Sequence, residues 1–234
     1  TRSLDADGSW KNLMEQYNVS ADISPTAGQM PRLVGLAEAS KHYRVNKDLH
    51  SKTTFSNKGN EVAWGTIGNA STSEGPFFEA INAAGVLQVP MVMSVWDDEY
   101  GISVHAKYQT TKESISEILA GFQRTNEKDG YEIMVVKGWD YPTLIETYEK
   151  ASALSRKEHV PVLIHVHEMT QPQGHSTSGS HERYKSPERL QWEQDFDCIK
   201  KLREFIETTE LATADELDAI VKAAKKEVRV AKGE

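Results

Sequence analysis

With 234 residues, 38% of them hydrophobic and 26% charged, the chain has the composition of a globular domain with a sizeable core, not of a disordered or fibrous protein. Its formal net charge of −8 argues against general nucleic-acid binding, and no apolar run approaches the roughly 20 residues that a membrane span needs. Cys198 is the only cysteine, which excludes an internal disulfide, and "TRSLDADGSW" has no signal-like apolar stretch, so a cytoplasmic, reducing setting is expected.

Taken in chain order, the first clear element is a helix over 31–43, opened by Pro31, with Leu33, Leu36, Ala37 and Ser40 on one side. A strand is predicted over 61–65, then a helix over 76–87 carrying Phe77, Ala80, Ile81, Ala84 and Leu87 at helical spacing. A strand over 90–95, a helix over 111–124 and a strand over 132–136 follow. A helix over 143–156 and a strand over 161–166 complete the alternation. The four strands are rich in Val, Ile or Met without clean alternation, as expected where both faces of a parallel sheet are covered. The alternation predicts a doubly wound, mainly parallel α/β sheet. After Glu168 the texture turns polar, and "TQPQGHSTSGSHERYKSPERLQ" reads as a long loop before two polar helices over 187–208 and 213–230. Lys225 and Lys226, balanced by Glu227, read as a solvated helix face.

In open parallel sheets, ligands bind beyond the carboxyl ends of the strands. The first strand runs into "GTIGNASTSEGPF", whose small residues open onto the helix at Pro76 and offer backbone N–H groups to an anion such as a phosphate. The second runs into "WDDEYG", where two neighbouring carboxylates repel unless a cation lies beside them. Asn69 and Asp98 then fall at one sheet edge, as an amide and a carboxylate suited to magnesium on a bound phosphate. Spacing alone leaves a second reading open, a helix cap beside a polar turn. His165 and His167 alternate on a strand and share a face, but no third zinc ligand is in register, and sheet-end histidines are expected. Asp97 is expected to be a plain neighbour in the turn, and the five tryptophans, Trp64, Trp96 and Trp139 among them, to be packing groups.

The stretch "GNASTSEGPFFEAINAAGVLQVPMVMSVWDDEYGIS" resembles the thiamine-diphosphate motif of the 2-oxoacid dehydrogenases, which begins G-D-G or G-E-G and ends N-N-x-Y. "GHSTSGSHERYKSPERLQWEQDFDCIKKLREFI" resembles their G-H-S-x-S-D loop with its following Tyr-Arg and helix. "NVSADISPTAGQMPRLVGLAEASKHYR" resembles the segment on the cofactor's aminopyrimidine side. The three motifs run in order through residues 18–206 and are nearest the α-type component of the branched-chain enzyme, the 2-oxoisovalerate dehydrogenase. Two positions depart: the family's acid in G-D-G is Asn69, and the second Asn of N-N is Asp98, so amide and carboxylate have exchanged places. A unit charge facing another at about 4 Å is worth roughly 4 kcal/mol at an effective dielectric of 20, so the exchange keeps a metal site that loss of the acid alone would weaken. The usual Tyr-Arg before the loop is "TQPQ" here.

The resemblance implies thiamine diphosphate and magnesium as cofactors, with Asn69, Asp98 and the Tyr100 backbone carbonyl as metal ligands. Ser24, Thr26, Gly68, Asn69, Ala70, Ser71, Asp98, Tyr100, Ile102 and His175 would contact the cofactor, and Ile23, Pro25 and Gln29 would line a potassium site. His175, which as a loop residue reads simply as solvated, becomes the histidine that helps hand an acyl group to lipoamide; Ser176 matches a position phosphorylated in mitochondrial relatives. The implied organisation is a thiamine-diphosphate-binding α/β domain over 1–168, an active-site loop over 169–186 and a helical segment of the same domain over 187–234. The implied reaction is oxidative decarboxylation of a 2-oxoacid, branched-chain by nearest resemblance, although pyruvate- and acetoin-type enzymes share the framework. The implied partners are a β subunit or fused β domain in a heterotetramer, which supplies the activating glutamate, and a lipoyl-bearing acyltransferase. A start without Met and the lack of the family's preceding segment are those of a fragment, silent alone. Two further readings stand beside it: a degenerate homologue kept as a scaffold, and a magnesium-dependent phosphohydrolase using Glu99.

Overall fold

The computed structural model describes residues 4–5, 7–10, 20, 23–52, 56–175 and 181–233. Its strands are β1 (Ala63–Gly68), β2 (Met91–Trp96), the short hairpin β3 (Tyr100–Gly101) and β4 (Val104–His105), then β5 (Glu132–Lys137) and β6 (Val162–His167). Four of them form one all-parallel sheet in the order β1–β2–β6–β5. The helices are α1 (Gln29–Val45), α2 (Gly75–Leu87), the single turn α3 (Ile115–Ile118), α4 (Tyr141–Glu158), α5 (Pro187–Asp195), α6 (Cys198–Thr208) and α7 (Ala214–Lys232).

Period-two alternation sorts the strand residues onto two cores. Met91, Met93 and Val95 of β2 and Leu163 of β6 join Met30, Leu33, Phe77 and Ile81 beneath α1 and α2. Val92 of β2 and Val162, Ile164 and Val166 of β6 face Ala151 and its neighbours on α4. The predicted doubly wound α/β class is therefore what forms. Connections leaving β1 and β2 cover one face and α4, leaving β5, covers the other, so a crevice opens beyond the carboxyl ends of β1, β2 and β6.

Two predicted helices are not continuous. The segment 111–124 breaks into short turns, because Lys112 and Glu113 both take positive φ, 68° and 57°, and Ser114 restarts the chain by accepting a bond from Glu117 N–H. The segment 187–208 divides into α5 and α6, because the Asp197 carboxylate accepts from Lys200 N–H at 2.9 Å and caps a new helix. α7 opens with a capping box between Thr213 and Glu216, and from Asp218 onward its residues are exposed. Among the described residues no helix is long and apolar enough to cross a membrane.

The segment after the described part of the loop is anchored by charge. Lys185 Nζ lies 2.6 Å from Glu193 Oε1, both side chains being almost wholly buried, and Arg189 Nε donates to the same oxygen at 2.9 Å. Removing one member of such a buried pair leaves the other without compensation. Glu193→Gln, which strands the Lys185 ammonium, is expected to cost about 3–5 kcal/mol of unfolding free energy in denaturant titration, whereas Lys201→Ala at the part-exposed Lys201–Glu204 pair should cost less than about 1 kcal/mol.

His159 ends α4 in the left-handed region at φ 58°, and its Nε2 is buried without a hydrogen-bond partner among the described residues. Burial first, then the Arg44 and Lys41 charges, push its imidazole down from 6.5 to about 4. The unfolded chain therefore takes up a proton that the folded chain refuses, so this contribution to stability is complete above pH 6.5 and is lost as pH falls through about 4. Between pH 6.5 and 4.5 the unfolding free energy of His159→Asn, which tolerates the left-handed cap, should fall less steeply with acid than that of the wild type, by a fraction of one proton.

Candidate functional site

Parallel pairing sets the carboxyl ends of β1 and β2 side by side, with Gly68 opposite Trp96. The Asn69 N–H donates to the Trp96 carbonyl at 3.0 Å, so the ladder continues one residue past the strands before each chain turns away. After Asn69 the chain tightens into a 3-10 turn, Ala70–Ser73, in which Thr72 N–H and Thr72 Oγ1 both bond the Asn69 carbonyl. This turn leads directly into α2, whose N-terminus carries Pro76. Asn69 is 5% exposed, and its side-chain amide makes no hydrogen bond among the described residues.

The two aspartates at the end of β2 do different things. Asp97 turns inward: its Oδ2 lies 2.9 Å from His165 Nε2 and its Oδ1 accepts from Glu99 N–H at 2.8 Å. His165 Nδ1 is in turn 2.9 Å from Ser116 Oγ. Asp97 is thus a buried structural anchor and not the passive turn neighbour expected from the sequence. Both nitrogens of His165 are engaged, and this removes it from any zinc pair with His167, although the two rings do lie together at 5.9 Å.

Asp98 turns the other way. Its Oδ1 accepts from Tyr100 N–H at 3.2 Å, the one bond this carboxylate makes among the described residues. Burial holds its carboxyl above the ordinary value, with the Tyr100 N–H and the Lys185 charge opposing. Arg189 donates to the Asp98 carbonyl at 2.9 Å and pairs with the Glu99 carboxylate, while its guanidinium and the Lys185 ammonium both lie over the Tyr100 ring. Gly101 completes the turn because no side chain fits there: a Cβ would lie 2.6 Å from Ala70 Cβ and 2.4 Å from Gln109 Nε2.

Between these turns lies a cavity of about 960 Å³. Gly68, Asn69, Ala70 and Ser71 line it from β1, and Asp98, Tyr100 and Ile102 from β2. Thr26 and Gln29 line it from the start of α1, and His175 from the loop. Ser24, Ile23 and Pro25 do not line it. Ser24 and Pro25 are exposed, the Pro25 carbonyl accepts from Gly28 N–H at 2.9 Å, and Gln29 Nε2 donates to the Thr66 carbonyl at 3.1 Å. Ser176 lies outside the described residues. Among the described residues no three His, Cys, Asp or Glu side chains come together as a metal cluster, so the oxygen donors of the cavity are scattered along its wall, with Asn69 and Asp98 at the two strand ends and Glu74 beyond the 70–73 turn.

Some of the wall was not anticipated. Trp96 is 48% exposed and lines the cavity, its Nε1 donating to Ser94 Oγ at 3.0 Å, so it is more than a packing group. Trp64 stacks on Tyr148 at 5.6 Å, and Trp139 lies against Phe196 while donating to Glu168 Oε2 at 2.8 Å, as packing residues do. The acid pair was visible as a turn, but the partners Ser116, His165, Lys185 and Arg189 are distant in sequence and no local signal marks them.

The family model described as dehydrogenase E1 component matches residues 5–233. The chain is 26% identical over 198 residues to the 2-oxoisovalerate dehydrogenase subunit alpha 1, mitochondrial, of Arabidopsis thaliana, a match covering 84% of this chain and 36% of that protein. It is 23% identical to the pyruvate dehydrogenase E1 component subunit alpha of Rickettsia typhi, covering 87% and 55%, and 25% identical to the 2-oxoisovalerate dehydrogenase subunit alpha of Bacillus subtilis, covering 87% and 57%. The chain spans from about a third to somewhat over half of the length of these relatives. With nearly every residue matched and the strand-end crevice in place, the chain belongs to the dehydrogenase E1 component family, on the side of the alpha-type 2-oxoacid dehydrogenase components.

Proposed function

We propose that this chain provides the diphosphate- and metal-binding half of a thiamine-diphosphate-dependent 2-oxoacid dehydrogenase. The observation that carries the reading is the pairing, across one cavity, of a burial-raised Asp98 carboxylate with a buried Asn69 amide that bonds no other side chain or backbone group among the described residues. A divalent cation would supply a counter-charge stronger than that of Lys185, which is paired with Glu193, and the amide oxygen of Asn69 with the Tyr100 carbonyl would complete a hard-oxygen set. The leading N–H groups of the 70–73 turn have no partner within that turn by construction and suit diphosphate oxygens. Gly68, Ala70 and Ser71 keep that wall low enough for close approach, and Thr26 and Ile102 also line the cavity.

Thiamine diphosphate, when bound, supplies the carbanion chemistry of decarboxylation. The chain's part is to fix and orient it, and to bring His175 to the same cavity, where its imidazole would hold or release a proton as an acyl group passes to a lipoyl arm. A β chain or fused β domain would supply the rest of the site, and a lipoyl-bearing acyltransferase would receive the product. Branched-chain 2-oxoacids are the substrate class proposed, on the nearest resemblance of the loop and its Trp-bearing helix. The lone cysteine fits the reducing, cytoplasmic setting proposed with it. Potassium near Ile23, Pro25 and Gln29 would draw on carbonyls beside the 25–28 turn and is a secondary part of the reading.

The test is calorimetric titration of thiamine diphosphate with magnesium into this chain assembled with its β chain. Asp98→Asn should weaken magnesium-dependent binding by about tenfold or more, as expected for a lost carboxylate facing a divalent ion. Unchanged binding would sink the metal assignment. His175→Ala should leave cofactor affinity within about threefold while lowering acyl transfer to a lipoyl domain by about 10²-fold or more, read as single-turnover kinetics. Equal loss of both would place His175 in binding instead.

A further inference from the structure

Resting on that metal site, we propose that Asp97, His165 and Ser116 form a positioning chain that sets the turn from which Asp98 reaches the cavity, and that they serve metal binding without touching the metal. Three elements that are far apart in sequence meet in it: the end of β2 through Asp97, β6 through His165 and α3 through Ser116. Asp97 and His165 are 4% and 3% exposed, and both contacts of the imidazole measure 2.9 Å. Every hydrogen-bonding group of Asp97 is used. Its N–H donates to the Val166 carbonyl at 2.8 Å, its carbonyl accepts from Met169 N–H at 3.1 Å, Oδ2 meets His165 and Oδ1 accepts from Glu99 N–H.

The last of these bonds is the one that reaches the site. Glu99 sits at φ 66°, a conformation costly for a residue with a side chain, and its N–H is held there by Asp97 Oδ1. That left-handed step brings Tyr100 N–H back onto Asp98 Oδ1 and leaves the rest of the Asp98 carboxylate to the cavity. With His165 removed, Asp97 would be a buried acid without its partner, free to turn toward the same space as Asp98. The chain therefore separates two adjacent carboxylates, one spent inside the protein and one available to a cation. Ser116 fixes the imidazole ring from its far side, as an outer hydrogen bond fixes a metal-binding histidine.

The test uses the assembled enzyme, with manganese as the metal probe followed by electron paramagnetic resonance, and thermal melting in parallel. The variants are His165→Gln, Ser116→Ala and, as a stability control on the opposite face of β6, Ile164→Val. His165→Gln should weaken manganese binding by about tenfold and Ser116→Ala by about threefold, while thiamine diphosphate affinity at saturating metal returns to the wild-type value. Ile164→Val should lower the melting temperature with no change in manganese affinity. Variants of Ser116 and His165 that melt earlier but bind manganese as the wild type does would overturn the proposal, since a role in folding alone predicts that result. Ser116→Ala decides the matter by itself where His165→Gln fails to fold. Asp98→Asn binding manganese like the wild type would instead bring down the metal site and this proposal with it, and so the two failures are told apart.

Discussion

Parallel pairing of β1 with β2, in register from Ala63 opposite Met91 to Gly68 opposite Trp96, is the constraint on which the site depends. It delivers two unrelated turns to the same edge at the same height, one made of small residues and one of acids. The bond from Asn69 N–H to the Trp96 carbonyl holds them together for one residue more, and Gly101 lets the second turn close against Ala70. β2 is buried from Met91 to Val95 because α1 and α2 cover one face and α4 the other, so both its faces take Val and Met, while β1 at the border of the sheet stays half-exposed.

Charge is arranged around this edge in two tiers. The inner tier is closed on itself: Asp97 hydrogen-bonds His165, and Lys185 and Arg189 pair with Glu193. The outer tier, Asp98, accepts from the Tyr100 N–H and feels Lys185 across space, while burial still holds its carboxyl above the ordinary value. Such an arrangement is expensive for a fold with no ligand to bind, since buried pairs are at best near neutral for stability. It is reasonable where one carboxylate must stay available and in a fixed direction.

Much of this was legible in the sequence, and the limits have physical causes. The four strands showed as apolar runs, but only β2 and β6 are buried on both faces, β1 and β5 being the half-exposed border strands; each was read as ending before its carboxyl-terminal residues, because Thr66, Trp96, Lys137 and His167 belong to the ladder while pointing to the crevice or to solvent. The helix read over 111–124 failed because nothing in "TKESISEIL" announces two left-handed residues in a row. The break at Asp197 was readable as a cap, but the apolar spacing on either side of it masked the signal. Asn69 and Asp98 were found from glycine-rich and acidic turns at strand ends, and His175 from a resemblance to a loop motif. Asp97 with His165 could not be found that way, since 68 residues separate them and only β-sheet order makes them neighbours.

The indole of Trp96 gives the cavity a built-in optical reporter. Among the tryptophans of the described residues it alone lies on the cavity wall, half-exposed, with its N–H on Ser94. Filling that space replaces water around the ring by polarisable atoms, and emission from this one residue would change while Trp64, Trp139 and Trp192, seated against Tyr148 and Phe196, stay dark to the event. Occupancy could thus be followed in real time, without a label and without turnover, as the difference between the wild-type chain and one carrying Phe at this position.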